Sequence, residues 1–256
     1  MIDRRSVLAT LGGAVAGSLA TNAAPQASAA TSSPPTPTRA DVTFLRTEAL
    51  VNVERAQAVM TRENIDAFVV TQPTNVFYLG NHWPNLDRMG FRHSVFVIYP
   101  RDPQRPVALV MSGFLHYYRY ADDVELPNRI VFPYTVPEAD GSAAPTRMHR
   151  VLDESLLSER EIHRRKTSAS AEAPSPSAEV ALQRALQHLG LTRARIAIDD
   201  SAIERLLQKR DFAGTTTYAE DHLRRIRFAK SPAEIRLMRI AAQHNVDAAM
   251  AMVATV

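Results

Sequence analysis

The sequence predicts an α/β protein, a sheet covered on its faces by helices, and three observations carry that expectation. From about residue 43 onward, segments with apolar residues at spacings of three and four alternate with short β-branched apolar runs. Proline, glycine and aspartate punctuate those runs, as they do the ends of strands and turns. A hydrophobic content of 45% across 256 residues is enough to bury a core.

The first forty residues stand apart. Arg4 and Arg5 form a twin-arginine pair ahead of an apolar stretch, residues 7–20, that Gly12, Gly13 and Gly17 dilute. Ala27-Ser28-Ala29 supplies small residues for a signal peptidase, so residues 1–29 read as a Tat-type signal peptide and the product as periplasmic or extracellular. The stretch is too short and too rich in glycine to span about 30 Å of hydrocarbon, and no stable membrane anchor is expected. Residues 30–42, rich in Ser, Thr and Pro, read as a flexible linker.

The folded part is expected over residues 43–228. Asp41 or Thr43 can cap a helix of about four turns whose face carries Leu45, Ala49, Val53, Ala56 and Met60. Residues 65–71 suit a buried strand, and residues 74–79 a short helix stopped by Gly80. Residues 94–99 and 107–111 read as strands of a hairpin around Pro100-Arg101-Asp102-Pro103, and residues 129–134 as a fourth strand. Residues 145–166 look helical and highly charged. Residues 167–177 are low-complexity Ser, Ala and Pro and read as a disordered surface insertion. A helix over 180–189, a strand over 195–199 and a helix over 202–209 complete the pattern. Ser231-Pro232-Ala233-Glu234 then starts another helix, with serine as N-cap, proline at the first position and glutamate three residues after the cap. That helix runs to the end of the sequence with Val246, Ala249, Met250 and Val253 unpartnered, which reads as a truncated domain.

Composition excludes several functions. There is no cysteine, hence no disulfide framework, thiolate metal site or sulfur nucleophile. The net charge of +3 comes from scattered arginines interleaved with carboxylates, so no nucleic-acid partner is expected. No Gly-x-Ser-x-Gly elbow or glycine-rich phosphate loop occurs in the folded part.

Three places carry a family resemblance. Residues 46–60 followed by 65–71, the turn Asn75-Val76-Phe77-Tyr78-Leu79-Gly80, and residues 223–235 with their Lys230-Ser231-Pro232-Ala233-Glu234-Ile235 junction resemble the creatinase and Xaa-Pro peptidase family. Its members join an N-terminal α/β domain to a C-terminal pita-bread metallopeptidase domain. The resemblance implies a mixed sheet flanked by helices over 43–228 and the first helix of a missing pita-bread domain over 229–256. The family's two aspartates, one histidine and two glutamates, which hold two divalent metals, match no residue here. No catalytic or metal-ligating residue and no cofactor is therefore expected in this chain; two divalent metals are expected only where the catalytic domain is present. The implied partners are a second copy, in a homodimer, or a pita-bread domain. The implied role is that of a non-catalytic domain of an exported Xaa-Pro-type metallopeptidase or hydrolase, and the alternative is a free-standing periplasmic binding module.

Read on their own, His82, Asp87, His93, His116, Asp122 and Asp123 are the candidate metal ligands, but the loop that holds His82, Asp87 and His93 has no helical i, i+4 pairing and no second cluster to complete a site. Asp122 and Asp123, being adjacent, point apart and do not form a general acid/base pair. His82, Asp87 and His93 share one loop with Trp83 and Arg88. In the family that part of the N-terminal domain reaches over a neighbour's active site, so Tyr78, His82, Trp83 and Arg92 are expected to contact a partner or bound the substrate pocket. The aromatic run His116-Tyr117-Tyr118-Arg119-Tyr120 is expected as a partner or lid contact.

Overall fold

The computed structural model describes residues 41–253 apart from 124, 136, 139 and 144–153. After a 3-10 turn, Thr43–Arg46, come α1 (Val53–Arg62), β1 (Ala67–Val70), α2 (Pro73–Gly80), β2 (Val95–Pro100), β3 (Val107–Ser112) and β4 (Arg129–Tyr134). Then follow α3 (Glu159–Ala169), α4 (Ala178–His188), β5 (Arg195–Ile198), α5 (Ser201–Gln208), β6 (Thr215–Tyr218), α6 (Glu220–Arg227) and α7 (Pro232–Val253). The strands form a mixed sheet in the order β4-β3-β2-β1-β5-β6. β2 runs antiparallel to both β1 and β3, whereas β1–β5, β5–β6 and β3–β4 are parallel.

Both sheet faces are covered, which is why the inner strands read as unbroken apolar runs. Side chains alternate between faces along a strand. Phe68 and Val70 of β1, with Val97 and Leu109, pack under α1, α2 and α6 through Met60, Leu79 and Leu223. Ala67 and Val69, with Phe96, Ile98 and Val110, pack under α4 and α5 through Leu182, Leu186 and Ile203. Each of the Val, Leu, Ile, Phe and Met side chains so buried contributes about 1.5–3 kcal/mol. The Pro100–Pro103 hairpin forms as expected, with Ile98 opposite Ala108.

Four expectations are corrected. The four-turn first helix is two elements, because Asp41 accepts the Thr43 N–H and supports only a 3-10 turn. The chain then extends through Leu50, whose N–H donates to Asn81 and whose carbonyl accepts from Ser231, until Asn52 caps α1 by accepting the Arg55 N–H. Gly80 does not stop α2 by a left-handed turn; Asn81 does, at φ 54. Gly80 is instead required for space, since a Cβ there would lie 2.8 Å from Val97 Cγ2.

Residues 167–177 are ordered rather than a disordered insertion. α3 extends to Ala169, and the chain then pairs along the outer edge of β4: the N–H groups of Glu172 and Ser175 donate to Val131 and Pro133, and Thr135 donates to Ser175. Ser175 is buried, and Ser177 caps α4. Of the charged segment 145–166, residues 145–153 lie outside the described residues, and its helix begins only at Glu159, behind a capping box made by Ser158 and Glu161. The sixth strand, Thr215–Tyr218, was not expected.

α7 starts as its sequence predicts. Ser231 accepts the Glu234 N–H and donates to the Leu50 carbonyl, which ties the helix start to the domain. Met238, Val246, Met250 and Val253 are exposed along it. Among the described residues no helix is long and apolar enough to cross a membrane. Arg4, Arg5 and the linker up to residue 40 lie outside the described residues.

Candidate functional site

The parallel neighbours β1 and β5 end side by side, and from there the chain departs in opposite directions, β1 toward β2 and β5 toward β6. Such a point leaves a crevice outside the carboxyl ends of the strands, the place where open α/β sheets bind ligands. Here the crevice is a cavity of about 210 Å³ lined by Thr71, Gln72, Asp87, Arg92, His93 and Asp200. The concavity between α4 and α5, about 220 Å³, is floored by core residues such as Leu186 and Leu207.

Two consecutive carboxylates organise the crevice. Asp199 follows β5 directly and accepts three donors: the Thr71 N–H at 2.9 Å, the Gln72 N–H at 3.0 Å and Asn75 Nδ2 at 2.8 Å. Burial outweighs those donors and pushes its carboxyl above the usual range. Asp200 caps α5 by accepting the Ala202 N–H at 2.8 Å, and its other oxygen accepts Gln72 Nε2 at 2.8 Å and meets His93 Nε2 at 3.2 Å. Burial opposes ionisation of Asp200 too, but the Ala202 N–H and then His93 outweigh it and hold its carboxyl below the usual range. His93 reaches Asp200 from a left-handed backbone, φ 58, a costly conformation for a non-glycine residue.

Arg92 and Asp87 complete the rim, and neither forms an ion pair among the described residues. The Thr71 hydroxyl donates to the Val95 carbonyl at 2.9 Å, which ties it to the sheet and away from His93. Behind the crevice, Asn75 accepts the Arg227 guanidinium, which lies 4.8 Å from the centre of the Tyr78 ring. The site thus presents hydrogen-bonding groups of both charges on a fixed floor. It has no hydroxyl aimed at a base.

Of the four residues expected at a contact surface, only Arg92 stands in this crevice. Tyr78 is buried on α2, where desolvation and then the Glu234 charge push its phenol up to about 12. His82 is 2% exposed and faces Tyr120 edge-on at 5.7 Å, so it belongs to the interior rather than to a contact surface. Trp83 is half-buried against Phe77, with the Arg88 guanidinium 5.5 Å from its ring. Asp87 and His93, weighed as metal ligands, do meet at the crevice. His116 is buried elsewhere, and Asp122 is bound by Arg160 and Arg164, the latter through Nε at 2.9 Å. The side chain of Asp123 lies outside the described residues. The aromatic run is largely interior: Tyr117 and Tyr120 are buried in a π-helical turn, and Tyr118 is left exposed beside Phe114. Sequence reasoning missed Asp199 and Asp200. The available signal was a carboxylate pair directly after an apolar run, at the end of a strand.

Residues 52–149, which include β1 and the loop carrying Asp87, Arg92 and His93, match the family described as the creatinase/prolidase N-terminal domain. The chain carries a creatinase/prolidase N-terminal domain. No curated protein matches the sequence. Among solved structures, the chain is similar to a prolidase from Pyrococcus horikoshii OT3, with 16% identity, 80% of this chain and 42% of that one covered, and a TM-score of 0.45. A dipeptidase from the same organism has 13% identity, coverages of 65% and 33%, and a TM-score of 0.38. The chain thus spans less than half the length of either solved chain that it matches.

Proposed function

We propose that this chain is the non-catalytic N-terminal domain of an exported Xaa-Pro-type metallopeptidase or hydrolase, in which it serves dimerisation and helps bound the substrate pocket. The crevice at the carboxyl ends of β1 and β5 carries this reading, together with the family match over the loop that builds it. A peptide substrate presents charged termini and carbonyl groups. Arg92 offers a cation without a partner among the described residues, and Asp87 a carboxylate likewise free, above a floor that Asp199 and Asp200 hold rigid.

The pair of divalent metals that the family implies needs several convergent carboxylates and imidazoles. The donor set here does not fit: Asp200 spends its oxygens on Ala202, Gln72 and His93, and the described residues hold no group of three or more such side chains able to bind a metal. In the proposed assembly the metals belong to the pita-bread domain.

The test is reconstitution. Mixed with a separately produced, metal-loaded pita-bread domain, the chain is expected to form a complex by native mass spectrometry and to support cleavage of an Xaa-Pro dipeptide. Arg92→Ala is expected to raise KM severalfold with kcat within about twofold, the signature of lost uniform binding. A verified complex that cleaves nothing, or an Arg92→Ala complex with unchanged KM, would overturn the reading. For export, replacing Arg4 and Arg5 by lysine is expected to retain the protein inside the cell; undiminished export of that variant would exclude the Tat route.

A further inference from the structure

At the opposite end of the sheet, by the amino ends of β3 and β4, one arginine has no counterion among the described residues. Arg129 opens β4 and is half-buried. Its Nε is buried with no hydrogen-bond partner, and Nη1 reaches only the Asn128 carbonyl, at 3.4 Å. No carboxylate among the described residues pairs with it. The groups that feel its charge are the phenols of Tyr120 and Tyr99, which only partly offset a burial that pulls the guanidinium below its ordinary value. Charges withdrawn from water in proteins are normally paired and fully hydrogen-bonded, because an uncompensated ion loses its hydration without replacement.

Arg129 also lines a cavity of about 290 Å³, a volume suited to a small ligand. Val51, Val107 and Leu126 give this cavity an apolar wall, while Tyr99 and Gln57 add polar groups. Two other charged side chains reach it, Asp102 and Arg105, and they neutralise each other: their ion pair spans 3.6 Å, and the Asp102 carboxylate also accepts the Gln104 N–H. The cavity therefore carries one net positive charge. Its rim is fixed, since Asn128 Nδ2 donates to the carbonyls of Pro103 and Arg105 and the Val107 N–H donates to Asn128.

We propose that this cavity binds a small organic monocarboxylate with a short apolar body, its carboxylate on the Arg129 guanidinium and its body against Val51, Val107 and Leu126. A single planar guanidinium suits a carboxylate, and the apolar wall favours an aliphatic chain over a fully hydrated inorganic anion. The site is separate from the crevice at the carboxyl ends of β1 and β5 and independent of the function proposed for it.

Calorimetric titration of the full chain tests this with hexanoate as a free acid, N-acetylalanine as a chain-end carboxylate, hexanamide as a neutral isostere and inorganic phosphate. Binding of either carboxylate, with hexanamide and phosphate weaker by about tenfold or more, is the expected result, and the stronger acid identifies the source. Arg129→Gln should weaken the carboxylate by about tenfold or more, and Leu126→Trp, which fills the cavity while keeping the arginine, should abolish binding. Should Arg129→Gln fail to fold, the Leu126→Trp protein decides alone. Carboxylate binding that survives Leu126→Trp, equal binding of hexanamide, preferential binding of phosphate, or no carboxylate binding at 10-millimolar order ligand (~10 mM, well above the weak range) would each overturn the proposal.

Discussion

The interior histidine offers the sharpest test of the fold's electrostatics. His82 is 2% exposed, neither ring nitrogen has a hydrogen-bond partner among the described residues, and its ring abuts Tyr120. Desolvation first, then the charges of Arg119 and His116, lower its pKa from 6.5 to about 4. The folded pKa lies below the unfolded one, so between these values the unfolded chain binds a proton that the folded chain refuses. The neutral imidazole's contribution is thus fully present above about pH 6.5 and is lost as pH falls toward 4. At pH 5 the loss relative to pH 7.5 is about 2 kcal/mol, and the full shift corresponds to about 3 kcal/mol. His82→Phe keeps an aromatic ring against Tyr120 and removes the titration. Urea unfolding followed by fluorescence of Trp83, the single tryptophan and the next residue along, measures both proteins. The expectation is a stability gap that widens in favour of His82→Phe by about 2 kcal/mol from pH 7.5 to pH 5, all other titrations being common to the pair. If the two proteins lose stability in parallel, the imidazole is paired or hydrated in solution and the reasoning fails.

Other expectations follow from packing and hydrogen bonding. Gly80→Ala places a methyl 2.8 Å from Val97 Cγ2 and should cost about 1–3 kcal/mol; pairing it with Val97→Ala should recover part of that cost in a double-mutant cycle, and strict additivity would argue against the contact. Asp199→Ala strands the N–H groups of Thr71 and Gln72 and the Asn75 amide, for a loss of about 2–4 kcal/mol by chemical denaturation. The Ser175 amide, bonded to Pro133 along the β4 edge, should exchange with solvent as slowly as strand amides; rapid exchange would return residues 167–177 to the disordered state that their composition suggests.

The strands β1 to β5 were legible because both faces of the sheet are covered, so each central strand had to be a continuous apolar run. β6 escaped notice for the complementary reason. Thr215–Tyr218 is an edge strand of four polar or amphipathic residues, exposed at both ends, and nothing in its pattern separates it from a loop. Residues 167–177 misled through composition: small polar residues and proline suit an edge cap as well as a disordered loop, and only the position of β4 decides between them. The first helix was overextended because Leu45, Ala49 and Val53 keep helical spacing across a break that long-range bonds from Asn81 and Ser231 impose. In the crevice, Asp87, Arg92 and His93 could be singled out because they share a loop. Asp199 and Asp200 could not, since their meaning depends on which strand lies beside β5.

Those two carboxylates show why the crevice is suited to recognition. Asp199 faces inward and fixes the turn after β1; Asp200 faces the cavity, caps α5 and holds His93. Three segments distant in sequence therefore meet at two adjacent residues, and the floor of the crevice loses little conformational freedom when a ligand arrives. The exposed rim is different, for Arg92 follows a 3-10 turn, Asn85–Met89, that is closed by Gly90 at φ 87 and contains no buried residue. Binding energy gained at Arg92 must exceed the cost of ordering that loop, whereas energy gained at His93 need not. Shortening the loop's freedom by Gly90→Ala would strain φ 87 by about 1 kcal/mol or more and shift the rim, so in the proposed assembly with a pita-bread domain it is expected to weaken binding of the Xaa-Pro dipeptide without altering the stability contributed by Asp199. Equal substrate affinity in that variant and the wild type would mean that the floor alone makes the contact.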